Sequence, residues 1–389
     1  MPLARLDQLI ETVQHNCHVT DARFARGMTL CTYLLEMREF FRWEHGIALG
    51  EAPPRSEVGP WLTQREALWE TLEGADFEPI PVGDANFDPF DSTAINRALL
   101  PAGLIYGAGI GRFHKPHFFL GSLGVAPTLT AFAAPMNSPE AVTGGAFRLG
   151  TARRQNHDEI LADASGARVL VCGCEYARDL TAIPAALQRD TIVVRQEALR
   201  QWLWEKAEAW QLKQQPGAMQ SALAAYRYFE QPGIALERMT LAETETLILH
   251  EKGEFAAGQS LGADWEEMLA SLGKRHAEIL LRAVRDNWAD CLSTLPQLLA
   301  READASLHFW FSNFEGIRRE LFPALAKAYH AWTTDGGKEE LASTVAAGAS
   351  HWGEVAGVLL QRFRNDRDDN TVLQDDLVRL SHDCAPIAL

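Results

Sequence analysis

The residues best placed to do chemistry fall in the second half of the chain. They are His250-Glu251-Lys252-Gly253-Glu254, with His276, Asp286, Asp290 and Arg318 further on. Each lies among apolar residues in a segment with helical periodicity, and a carboxylate or imidazole in such surroundings needs a counter-charge, a metal or a proton. The first segment differs from the zinc-protease pattern H-E-x-x-H at one position, which is a ligand position. On a helix His250 and Glu254 are about 40° apart, so the two could still grip one divalent metal ion. Glu243 lies two turns back on that side, and His276 sits at the centre of an apolar stripe formed by Trp265, Leu269, Leu272, Ile279, Leu280 and Ala283. His250, Glu254 and His276 are therefore the candidate metal ligands. Glu251, between Leu247 and Phe255, is the candidate acid/base group, because partial desolvation would raise its pKa.

A structural alternative accounts for the same residues. The stripe Leu241, Ile248, Phe255 lies almost opposite His250, which would leave a solvated Glu/His face, although Leu247-Ile248-Leu249 wraps apolar surface round the helix. A lone histidine on an apolar face is more often a hydrogen-bonded core residue than a ligand. Arg318 lies about 40° from Phe314 on the inward stripe of its helix. Antiparallel pairing about the 296–304 connection sets Arg318 opposite 282–286. Asp286, Asp290 and Arg318 then read as a buried charge network, with an Arg318–Asp286 ion pair that needs no metal.

Other motifs carry less. Gly107-Ala108-Gly109-Ile110-Gly111 lacks the final glycine of the dinucleotide fingerprint, and Pro116 stands where its helix should run, so a glycine-rich strand or tight loop is expected. Gly121-Ser122-Leu123-Gly124 lacks the glycine two residues before the serine of a nucleophile elbow. His114 and His117 with Cys172 and Cys174 have the residue types of a Cys2His2 zinc site but not a zinc-finger spacing, and a packed strand surface is the simpler account. Whether the four converge is left open. Arg38 and Arg42, one turn apart, are expected to pair with glutamates of neighbouring helices.

These residues must be positioned by a mainly α chain with an α+β middle: N-terminal helices over 1–76, a small mixed-sheet domain over 77–212 and a C-terminal helical bundle over 213–389. The first part should hold a helix capped by Thr20-Asp21 and running to His45, and another over 62–72. In the middle, short β-rich runs are expected at 103–106, 118–120, 128–132, 146–149, 168–172 and 191–195, with helical character at 93–99 and 183–187 and a helix over 196–211. The bundle should contain helices near 220–230, 240–256, 264–295, 304–332 (kinked at Pro323), 338–363 and 371–381, followed by or overlapping an acidic run, 365–376.

Composition sets the outer limits. The 389 residues are 47% hydrophobic and 23% charged, an ordinary globular balance. A formal charge of −16 without a long basic block argues against nucleic acid as a partner. No stretch approaches the roughly 18 apolar residues of a membrane span, and the N-terminus lacks a signal-peptide core. Six scattered cysteines do not form a disulfide framework, which together predicts a soluble, cytoplasmic protein. Two functions fit: an enzyme, metal-dependent or acid/base, with a pocket lined by the bundle and a reaction the residues do not specify; or a non-catalytic interaction or scaffold protein whose inward charges are structural, its eleven tryptophans feeding core and partner surfaces. Clustering of the ionisable residues tips the balance toward the first.

Overall fold

The computed structural model describes residues 6–110, 116–124 and 166–365. The expected runs at 128–132 and 146–149, His114, Gly111, the helix over 371–381 and nearly all of the acidic run lie outside the described residues.

The chain begins with helices α1 (Leu6–Phe24), α2 (Leu30–Glu44) and α3 (Arg55–Leu72). Leu9, Val13 and Cys17, one turn apart, are fully buried and bring α1 onto the sheet. The helix expected from Thr20 to His45 is in fact two. Thr20 and Asp21 are buried inside α1, Asp21 accepts from the Leu180 amide, and Thr29 is the cap, its hydroxyl accepting from Thr32 N at 3.3 Å.

A hairpin, β1 (Ile80–Val82) and β2 (Ala85–Phe87), precedes α4 (Ser92–Leu99), which is capped by Asp91. The main sheet contains β3 (Leu104–Ile110), β4 (Pro116–Leu123), β5 (Arg168–Arg178), β6 (Ala185–Gln188) and β7 (Thr191–Arg195), in spatial order β3-β4-β5-β7-β6. All neighbours are antiparallel except β5 and β7. The glycine-rich segment is strand: a Cβ on Gly107 would enter the ring of Phe119 on β4. Residues 183–187, expected to be helical, contribute to β6, because Ala185–Gln188 pairs with β7 in a hairpin.

The rest is helical: α5 (Gln196–Lys213), α6 (Ala218–Ala225), α7 (Pro232–Leu261), α8 (Ala263–Ser271), α9 (Arg275–Ala289), a π-turn (Asp290–Thr294), α10 (Leu295–Ala300), α11 (Asp304–Ser312), α12 (Gly316–Leu321), α13 (Pro323–Asp335) and α14 (Glu339–Asn365). The architecture is mainly α with an α+β middle. Pro232 starts α7 rather than breaking it, as suits a first-turn proline, and Gly262 at φ 73° ends it. Helix α7 is covered on several sides. Leu249 joins the bundle core, while Ile248 and Phe255 pack against Val169, Ile192 and Val194 of the sheet. Among the described residues no helix is long and apolar enough to cross a membrane.

Candidate functional site

Two backbones make the site by coming close together. A Cβ on Gly253 of α7 would run into the carbonyl of Ala289, the last residue of α9, so glycine allows the two helices to touch. The π-turn follows at once, a local distortion often found where a helix must aim a polar group. As a result Asp290, 1% exposed, faces His250, 24% exposed on its side chain, with Nδ1 to Oδ1 at 2.9 Å. His250 Nε2 lies 3.5 Å from Glu254 Oε1. Arg318 of α12 donates to the other oxygen of Asp290 and contacts Asn287 Oδ1 at 3.4 Å. Asn287 returns a bond to the Arg318 carbonyl at 3.2 Å. Arg285 donates to Glu254 Oε2 at 3.1 Å and lies 3.9 Å from Asp286.

The charges settle accordingly. Burial alone would lower the His250 pKa, but the Asp290 carboxylate and the Glu254 hydrogen bond hold it well above the usual imidazole value. Burial would raise Asp290, yet His250 and Arg318 hold it far below the carboxylate range. Glu254 is held down to about 2 against its burial by His250 and Arg285. Asp286 is pushed up to about 6 by burial and by the Glu254 charge. Glu251 rises to about 7 through burial, only partly offset by His250, Arg285 and a bond from the Leu187 backbone of β6. The cations His250, Arg285 and Arg318 thus face ionised Asp290 and Glu254, with Asp286 and Glu251 sharing the remaining negative charge.

Not all of the expected residues meet. His250, Glu254, Asp286, Asp290 and Arg318 converge, with Glu251 alongside. His276 does not: it is exposed in the first turn of α9, about 20 Å along the axis from Asp290. The expected helix over 264–295 is broken at 272–274, so the face counted through the break loses its phase, and Ile279 of that stripe is exposed too. Arg318 is placed on Asp290, not on Asp286, its expected partner. Glu243 is separate again, accepting from Tyr226 Oη at 2.7 Å, with Ser306 Oγ 3.0 Å from the same hydroxyl. A metal held by His250, Glu254 and His276 does not fit this arrangement. Both His250 nitrogens face carboxylates as imidazolium donors, and among the described residues no three His, Cys, Asp or Glu side chains are grouped to hold a metal ion.

Of the second histidine–cysteine set, the described members His117, Cys172 and Cys174 do not converge. His117 pairs with Asp179 at 2.7 Å, whereas Cys174 lies opposite Ser122, about 15 Å further along β4. Burial raises both thiols, Cys174 to about 11, which keeps them protonated and poor nucleophiles.

A further buried network escaped the sequence reading. Glu175 receives Arg195 Nε at 2.6 Å and lies 3.6 Å from Arg178, whose guanidinium sits over Trp43. The signal was present: Glu175 interrupts and Arg178 ends a largely apolar strand, β5, and both positions are buried. Arg38 pairs as expected with a glutamate of a neighbouring helix, Glu208 of α5, at 3.0 Å, and also with Glu39 at 2.7 Å; Arg42 instead lies 3.8 Å from Glu39 of its own helix and donates to the Ala48 carbonyl at 2.9 Å.

Fold and site therefore define a mainly helical protein with a mixed sheet and a charge network buried between helices. Residues 8–140 match the N-terminal domain, and residues 200–379 the C-terminal domain, of a family of unknown function (DUF6866). All members of the His250 network fall within the second match. No curated protein and no solved structure matches the chain.

Proposed function

We propose that this is a soluble, cytoplasmic, non-catalytic interaction protein, and that the His250 network fastens α7 to α9, the π-turn and α12. One observation carries the reading: each ionised member of the cluster faces an opposite charge. His250 lies between two carboxylates and has no free nitrogen with which to accept a proton. Neither of two surface grooves, one along α13 and one beside Trp210, is lined by a member of the cluster. The acidic composition supports partners other than nucleic acid.

Chemical denaturation of Asp290→Asn tests this. Removing one partner leaves Arg318 and His250 without their shared carboxylate, so the variant should lose roughly 3–5 kcal/mol. An acid/base centre is the second reading, favoured by Glu251 and Asp286, whose pKa values lie near 7 and 6. Catalytic groups are commonly held at a cost to stability. Unchanged or raised stability in Asp290→Asn would therefore favour that second reading over ours.

A further inference from the structure

Arg318 and Arg319 are neighbours with opposite fates. Arg318 reaches inward to Asp290, whereas Arg319, in the last turn of α12, is exposed and lines a surface groove of about 540 Å³. Lys327 and His330 of α13, one turn apart, line the same groove. Ala326 and Ala331 also line it, and their short side chains leave room between the longer ones. Lys327 and Arg319 make no ion pair among the described residues, although the chain as a whole carries −16. The one acidic lining residue, Asp335, stands at the C-terminal end of α13, about 12 Å along the axis from Lys327.

We propose that this groove binds a compact dianionic oxyanion, the phosphate of a small phosphate monoester. A guanidinium offers a planar fork that matches phosphate oxygens two at a time, and an ammonium adds a mobile point charge. The helix dipole and Asp335 make the far end unfavourable for a second anion, so the phosphate sits at the Arg319–Lys327 end. Thr334 and Asp335 are then left to accept hydrogen bonds from hydroxyl groups on the rest of the ligand. Arg319 and Lys327 take no part in the His250 network, so the groove stands or falls independently of the function proposed above.

Isothermal titration of the full chain at low ionic strength, with inorganic phosphate, glycerol 1-phosphate and succinate as probes, tests the site. Phosphate and glycerol 1-phosphate should each saturate one site, glycerol 1-phosphate more tightly, while succinate binds more weakly than either. Arg319→Gln and Lys327→Gln should each weaken phosphate about tenfold, the effect of losing one charge-assisted hydrogen bond. Both positions are exposed, so thermal melting should be unchanged and serves as the folding control. No saturation by phosphate up to about 20 mM, well past a millimolar affinity, would overturn the proposal. So would unaltered affinity in the double variant, or succinate binding as well as phosphate.

Discussion

Glu251→Gln should stabilise the protein at neutral and alkaline pH and do little at low pH. Glu251 is 8% exposed, and its carboxyl faces His250, Glu254 and Arg285 from α7 and α9 and the Leu187 backbone from β6. Burial raises it from 4.5 to about 7, so the folded protein holds this proton to higher pH than the unfolded chain does. Stability therefore falls as pH rises from about 4.5 to about 7, and the cost is complete above that window. At about 1.4 kcal/mol per pH unit the cost reaches about 3–3.5 kcal/mol at pH 8. Glutamine keeps an acceptor for the Leu187 amide and carries no charge, so it should recover most of that amount. Urea denaturation of wild type and variant from pH 5 to 9 measures the difference, and subtraction cancels the many other groups that titrate. The difference between the two stabilities should grow from under about 1 kcal/mol at pH 5 to about 2–3 kcal/mol at pH 8. Parallel curves, or a wild type more stable than the variant at pH 8, would refute the argument that burial dominates the Glu251 environment.

Three further outcomes follow from packing and hydrogen bonding. Gly253→Ala should destabilise by about 1–3 kcal/mol in a thermal melt, because its methyl group must push α7 away from the Ala289 carbonyl. Gly258→Ala in the same helix meets no atom within 4 Å and should instead stabilise by up to about 1 kcal/mol, so the pair separates contact from helix propensity. Tyr226→Phe removes the donor at 2.7 Å from Glu243, whose pKa burial already raises to about 7. Denaturation should show a loss of about 1–3 kcal/mol, larger at pH 8, where Glu243 is ionised, than at pH 5.

The elements were legible in sequence wherever periodicity ran unbroken. Leu307, Phe314, Leu321, Leu325 and Trp332 recur at helical spacing on the side marked by Phe314, and all are buried. The β-rich runs at 103–106, 118–120, 168–172 and 191–195 lie wholly or almost wholly within strands, since apolar, aromatic and β-branched residues between turn signals mark them locally. Residues 183–187 misled because Ala185-Ala186-Leu187 has helical propensity, and only pairing with β7, a tertiary contact, makes it strand. The length of α7 was underestimated for a similar reason. Gly258 and Pro232 are breakers in isolation, but one occupies a spacious position and the other a first turn where its missing N–H costs nothing.

The site was legible to the level of the helix face and no further. A face count says which side of a helix a residue occupies; it does not say how far along the neighbour it reaches, and that depends on rise. The hairpin that was expected to set Arg318 against Asp286 assumed continuous helix from 304 to 332. Breaks at 313–315 and at Phe322 alter the rise of that segment, and Arg318 meets the opposite helix nearer the connection, at Asn287 and Asp290. One helical turn of slip changes the chemistry: Asp290 is doubly paired and strongly acidic, while Asp286 is left beside Glu254 and holds its proton to about pH 6. The same reasoning removes His276, whose inward position existed only if 264–295 kept phase through 272–274. What makes a proton-holding carboxyl here is thus not the residue type or its face but its rank along the helix relative to two cations, Arg318 and His250, and that rank is set by helix breaks whose backbone geometry no periodicity count can see.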